Sequence, residues 1–296
     1  MLHSPPDEIF QALLEGDRVM LAQAITLIES QNPKHREVAN RLIRKCLNHP
    51  KKETLRIGIS GTPGVGKSTF IEAFGIKLCS AGHRVAVLTV DPSSTISGGS
   101  ILGDKTRMPK LATHPDAYIR PSPSRGHLGG VTGQGWETVL LCEAAGFDRV
   151  IVETVGVGQS EVGVRSIADF FVLLQTTGGG DEIQYIKKGI IEMVDAILIT
   201  KADGGNVDAA KIVSEEFRQT LRMLKPYNEH WKPHVLECSA RTGKGIDEVK
   251  EIMDLFQDRM EQVNHLAIFR KRQQLDWFHT SVREGCLLYT SPSPRD

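Results

Sequence analysis

The sequence predicts an α/β fold: a doubly wound, mostly parallel sheet with helical segments before and after it. Three observations carry this. From residue 55 to 262, short apolar runs alternate with segments of helical period. The residues of chemical character fall just after those runs, at the carboxyl ends of the expected strands, where ligands of such sheets gather. The stretch Gly61-Thr62-Pro63-Gly64-Val65-Gly66-Lys67-Ser68 fits the spacing G-x-x-x-x-G-K-[ST], between an apolar run and the start of a helix.

Composition sets the bounds. A chain of 296 residues holds one large domain plus appendages. Hydrophobic content of 40% and charged content of 24% are those of an ordinary globule, and the net charge of zero steers it toward neither nucleic acid nor an acidic membrane. No stretch approaches the roughly 18 apolar residues of a membrane span. The start, Met1 to Glu8, has neither a signal-type apolar run nor an Arg-rich transit pattern. The cysteines (Cys46, Cys79, Cys142, Cys238, Cys286) are scattered without a C-x-x-C pair, which fits a reducing compartment. The expected location is the cytoplasm, or the mitochondrial matrix if the source is eukaryotic and a presequence is missing.

Residues 7 to 50 read as helical. Phe10, Leu13 and Leu14 share one helix face, and Leu21, Ala24, Ile25 and Ile28 share another, with Pro33 and Pro50 as punctuation. Residues 1–54 are taken as a helical extension. Strands are expected at 55–60, 84–90, 150–153, 170–174, 196–200 and 235–238, and helices at 67–81, 135–145, 182–193, 207–224 and 246–263.

The motif after the first strand has a phosphate-binding logic. Its glycines let the backbone curl so that N–H groups point inward, and the following helix adds its positive end. Gly61, Thr62, Pro63, Gly64, Val65, Gly66, Lys67, Ser68 and Thr69 form the candidate cradle. Lys67 can reach the β- and γ-phosphates, and the Ser68 hydroxyl can ligate Mg²⁺. After the second strand, Asp91 is the first candidate partner for that Mg²⁺ or its water, and Asp104 the second. The alternative for both is a turn-forming aspartate. The next strand ends in Glu153-Thr154-Val155-Gly156. There a carboxylate can meet the metal's water shell or the attacking water, and the Gly156 N–H can sense the γ-phosphate. Gly178-Gly179-Gly180 then reads as a hinge before a charged helix carrying Gln184, Lys187 and Lys188.

Thr200-Lys201-Ala202-Asp203 resembles the guanine-reading N-K-x-D box. A carboxylate accepts both the N1–H and the N2–H₂ of guanine, a donor pair that adenine lacks. The first position is Thr instead of Asn, so one side-chain contact of the usual box is expected to be missing. Ser239-Ala240 follows the last strand, where guanine-binding domains place a backbone N–H near O6. Three motifs in order at strand ends favour GTP and GDP, with Mg²⁺, over adenine nucleotides. His230 and His234 are four apart, but Pro233 between them argues against a shared metal-binding helix face. Cys238, in an apolar strand, reads as core.

Together these residues resemble the methylmalonyl-CoA mutase-associated GTPases, the MeaB/MMAA/ArgK type of P-loop GTPase, over residues 8 to 283. The distinctive runs are Val90-Asp91-Pro92-Ser93-Ser94, Leu102-Gly103-Asp104-Lys105-Thr106-Arg107-Met108, Tyr118-Ile119-Arg120-Pro121-Ser122-Pro123, Glu153 through Glu161, and Gly179-Gly180-Asp181-Glu182. The resemblance implies a switch-type GTPase that chaperones an adenosylcobalamin-dependent acyl-CoA mutase, gating cofactor loading and protecting the enzyme. It implies nucleotide-responsive switches at 91–107, 153–161 and 177–188, with Lys187 stabilising transition-state charge. It also implies a homodimer through a helical arm, expected here to start at 264–285. The segment 286–296 does not match the family; its Ser/Pro-rich end argues against a long helix and suggests a truncated or artefactual terminus. The dimer is therefore expected only if the arm is intact.

The resulting expectation is a Mg²⁺-dependent GTPase with GTPase domain 55–263 and catalytic residues Lys67, Glu153 and Lys187. No arginine finger is identifiable in the sequence. Two rivals stand beside it: a kinase of a periplasmic amino-acid transport protein, the ArgK-type reading, and a metallochaperone GTPase for nickel enzymes.

Overall fold

The computed structural model describes residues 4–30, 32–49, 53–91, 107–123, 133–154, 160–177 and 188–290. Three helices open the chain: α1 (Pro6–Leu14), α2 (Arg18–Ile28) and α3 (Pro33–Asn48). Their starts follow capping chemistry. Asp17 Oδ1 accepts the Val19 and Met20 amides at 2.8 and 3.0 Å, and Asn32 Oδ1 accepts from Lys34, with Pro33 in the first helical position.

The main body is a seven-stranded sheet in which every pairing is parallel. Its strands are β1 (Leu55–Gly61), β2 (Val85–Asp91), β3 (Ala117–Pro123), β4 (Arg149–Thr154), β5 (Phe170–Gln175), β6 (Ala196–Ile199) and β7 (His234–Glu237). The spatial order is β3-β2-β4-β1-β5-β6-β7. Connecting helices are α4 (Lys67–Ser80), α5 (Pro109–Ala112), α6 (Gly133–Ala144), α7 (Ser160–Arg165), α8 (Lys188–Ile191), α9 (Val207–Met223) and α10 (Ile246–Gln262); α11 (His265–Thr290) ends the described chain.

The pleat sorts the strand residues between two cores. Phe170, Val172 and Leu174 face a core shared with Phe70, Phe74 and Phe256. Phe171 and Leu173, one step out of phase, face the other. That second core also takes Leu13, Leu21, Ile25 and Leu42 of the first three helices and Trp136 and Leu140 of α6, so the N-terminal helices share their burial with the sheet.

Six strands fall where the apolar runs place them. The seventh, β3, is not in that expectation. Pro121 and Pro123 break a strand signal, yet they pair in register with Thr89 and Asp91. They are tolerated because β3 is an edge strand: two apart, both lack an amide proton on the side that faces no partner. The C-terminal helix also differs from expectation, since α11 continues through Cys286 to Thr290. Residues 291–296 lie outside the described residues.

Candidate nucleotide site

The carboxyl ends of β1, β4 and β6, with the turn after β7, converge on the loop between β1 and α4. Gly64 and Gly66 hold φ of 81° and 99°, the left-handed region that glycine enters without a Cβ penalty. This curls the loop and aims the first turn of α4 at its concave side. Lys67 is 8% exposed, and its Nζ donates to the carbonyls of Gly61 at 2.7 Å and Thr62 at 3.1 Å. Burial pushes the Lys67 ammonium below the ordinary lysine value, the carboxylates of Glu153 and Glu161 oppose that, and the charge of Arg107 adds to it. The ammonium thus rests on two loop carbonyls that an anion could replace.

Ser68 Oγ, on the first turn of α4, lies 3.4 Å from Glu153 Oε1 near the end of β4. Glu153 is buried, 5% exposed. Next to it, Thr154 Oγ1 donates to Ser60 Oγ at 3.1 Å, tying β4 to β1 just below the loop. Hydroxyl and carboxylate together form a set of hard oxygen donors, which suits Mg²⁺ better than a softer metal. Asp91 closes β2, in register beside β4, where Val90 pairs with Thr154. Its side chain lies outside the described residues, as do Asp104, Gly156 and Lys187.

The turn after β6 meets the loop from the other side. Thr200 Oγ1 lies 2.7 Å from the Val65 carbonyl and 2.9 Å from the Gln175 carbonyl. The Thr hydroxyl thus ties the turn after β6 to the loop. Lys201 takes φ of 56°, a rare conformation for a non-glycine residue, and its Nζ donates to the Gly64 carbonyl at 2.8 Å. Its stem passes close to the loop, with Lys201 Cε 3.9 Å from where a Cβ on Gly66 would sit. Asp203 accepts a hydrogen bond from Ser239 Oγ. The turn after β7 is held by the Ser239 amide on the Lys244 carbonyl and the Thr242 amide on Ser239 Oγ. Ala240 follows, partly exposed, while Cys238 behind it is buried and its thiol is pushed up to about 12 by that burial.

The elements thus bring together Gly61 through Thr69, Glu153, Thr200, Lys201, Asp203, Ser239 and Ala240. Sequence reasoning missed the charge pairs at the opposite end of the sheet. Arg56 forms a two-pronged pair with buried Glu143 at 2.7 and 2.9 Å. Arg270 of α11 reaches Asp169 at 2.9 and 2.5 Å, and Arg165 meets Asp195 at 3.2 Å. No local signal marks them, because the first two pairs join residues 87 and 101 positions apart.

Comparison with known proteins agrees with this geometry. A family profile described as "Methylmalonyl Co-A mutase-associated GTPase MeaB" matches residues 21–291. The chain is 46% identical over 301 residues to the mouse (Mus musculus) "Methylmalonic aciduria type A homolog, mitochondrial", covering 98% of this chain and 72% of that protein. It is 46% identical over 280 residues to "GTPase ArgK" of Escherichia coli (strain K12), covering 95% and 84%. Among solved structures, a "LAO/AO transport system kinase" aligns with a TM-score of 0.82 at 39% identity, over 96% of this chain and 85% of that one. The cradle, the guanine-type turn and nearly full-length similarity lead to one conclusion: the chain belongs to the MeaB family of methylmalonyl-CoA mutase-associated GTPases.

Proposed function

We propose that this GTPase is a Mg²⁺-dependent switch that chaperones an adenosylcobalamin-dependent acyl-CoA mutase of the methylmalonyl-CoA mutase type, gating cofactor loading and protecting the enzyme. The observation that carries the nucleotide half of this reading is the tie between cradle and base-reading turn: Thr200 bonds Val65 and Lys201 bonds Gly64, so phosphate and base positions are set by one rigid unit. The family name and the name of the mouse relative support the partner half.

In the proposed reaction, water attacks the γ-phosphorus and the bond to the bridging β-oxygen breaks. That oxygen leaves with the electron pair, and the water's protons end on inorganic phosphate and solvent. Lys67 and the loop amides hold the phosphate charge. Ser68, with Asp91 and Asp104 as further candidates, would hold the metal, which would supply positive charge against the triphosphate. Glu153 orients water, Gly156 senses the γ-phosphate, and Lys187 adds charge stabilisation. Asp203 reads the guanine edge, under Lys201, with Ser239 and Ala240 at the O6 side. Positioning and electrostatics do most of the work, because phosphoryl transfer asks little covalent chemistry of the protein.

The test is calorimetry with GTP, GDP and ATP in Mg²⁺, followed by capture with a non-hydrolysable GTP analogue in the presence of a purified cobalamin-dependent mutase. Micromolar guanine binding without adenine binding, and a nucleotide-dependent complex, are expected. Transfer of labelled γ-phosphate to a protein acceptor instead of to water would favour the kinase reading.

A further inference from the structure

The chain as a whole is neutral, but its charge is not evenly spread. Helix α3 carries five lysines and arginines against one glutamate, and α10 carries six carboxylates against two cations. The two helices lie in opposite layers. Leu42 and Cys46 of α3 belong to one core and Val249 and Phe256 of α10 to the other, with the sheet between them. The two charged faces therefore point away from each other, and neither neutralises the other within one molecule.

Each face has a shape as well as a sign. At the end of α3, Arg44, Lys45 and Asn48 meet Phe10 of α1 and His49 around an open cleft of about 350 Å³. The His49 ring stands edge-on to Phe10 at 5.6 Å. Lys45 reaches Asp7 of α1, and one turn back Arg41 pairs with Glu37 at 2.7 Å. Arg44 is exposed, with no carboxylate partner among the described residues. On the opposite face, Glu248, Glu251, Leu255 and Asp258 fall at i, i+3, i+7 and i+10 of α10, one stripe of the helix. All four are exposed, Leu255 at 55%, and the three carboxylates have no ion-pair partner among the described residues. Glu251 and Asp258 stand one turn to either side of Leu255, about 5 Å along the axis. A leucine in water between two acids is the counterpart of an aromatic-floored cleft between basic side chains.

We propose that α10 of one copy of this chain docks on the α1–α3 cleft of a second copy, with Leu255 in the cleft and Glu251 and Asp258 against Arg44, Lys45 and Arg41. The contact joins two different patches, so it is head-to-tail. Each docked copy keeps one patch free, and further copies add in a row. One helix on one cleft is a small contact held largely by exposed charge, so the row forms in concentrated protein at low salt and falls apart as salt screens it.

The test is sedimentation velocity on the full chain, across the micromolar to submillimolar range, at about 0.05 M and about 0.5 M salt. The mean mass should climb with concentration at low salt and stay flat at high salt. Arg44→Glu and Glu251→Arg should each weaken the association about tenfold or more, because each sets like charges against one another. Mixed together, the two variants should regain association that neither shows alone, since the intact α10 of the first fits the intact cleft of the second. That recovery also separates a lost contact from a misfolded variant. Leu255→Ser should weaken association without changing charge, and its melting curve and guanine-nucleotide binding should match the wild type. A wild-type mass independent of concentration at low salt overturns the proposal, even if some acidic protein binds the cleft. So does association that none of the three substitutions weakens, or a mixture that stays as dissociated as its parts.

Discussion

The two ends of the sheet solve opposite problems with similar residues. At the amino-terminal end, arginines meet carboxylates. Arg56 holds Glu143, Arg270 holds Asp169, and Arg165 holds Asp195. The same carboxylates cap strand amides: Asp169 accepts from Arg56 N at 2.9 Å and Asp195 from Phe171 N at 2.9 Å. At the carboxyl-terminal end, Lys67 and Lys201 rest on neutral loop carbonyls. Charge is neutralised within the chain at one end and held ready for an outside anion at the other. A buried pair costs dearly to break but is hard to exchange, whereas a lysine on carbonyls can be handed to a phosphate.

Breaking the closed end should have the largest effect. Asp169→Ala leaves the Arg56 amide without its acceptor and Arg270 with the Thr54 carbonyl in place of a carboxylate, and loss of one partner of a buried pair costs about 3–5 kcal/mol. Thermal or urea unfolding should show that loss, with guanine binding retained in whatever fraction stays folded. Breaking the open end should do the reverse. Lys67→Ala should lower turnover by about 10²- to 10³-fold, the cost of removing one donor aimed at developing charge. Its unfolding midpoint should barely move, and a large drop would erase the contrast between the ends.

Asp203→Asn sharpens the comparison at the base. It should weaken GTP by about 1.5–3 kcal/mol, the worth of a hydrogen bond to a charged group, and improve binding of xanthosine triphosphate. Competition binding with both nucleotides reads this directly, and unchanged GTP affinity would remove Asp203 from the guanine edge.

The smallest effect concerns pH. Burial first, and then the nearby charges of His230 and Arg165, hold the His265 ring below its usual 6.5. The folded state therefore binds fewer protons than the unfolded state below 6.5, so stability is full above that value and falls as acid is added. A melting series from pH 7.5 to 5.5 should show a shallow decline that His265→Gln flattens.

Much of the open end was legible in the sequence because its chemistry is local. Gly61 to Ser68 is contiguous, and Thr200 to Asp203 follows an apolar run that can only be a buried strand. The inner strands were readable because they are apolar on both faces, as parallel strands between helix layers must be, while the edge strand β7 showed only Val235 and Leu236. The closed end was silent for the converse reason. Nothing near Arg56 in the chain announces that Glu143 will sit beside it, and Trp277 of α11 stacks on Trp136 of α6 at 4.6 Å with no shared motif. Strand β3 was hidden by its prolines.

Those same prolines shape how the molecule meets its own copies. A parallel sheet ends in a row of open amides and carbonyls, an invitation for a stranger's backbone to continue the ladder. On β3, Pro121 and Pro123 remove two rungs from that row. Crowded chains of this protein should therefore resist fibrous stacking along that border, and replacing both prolines with threonine should make concentrated solutions turn thioflavin-positive sooner.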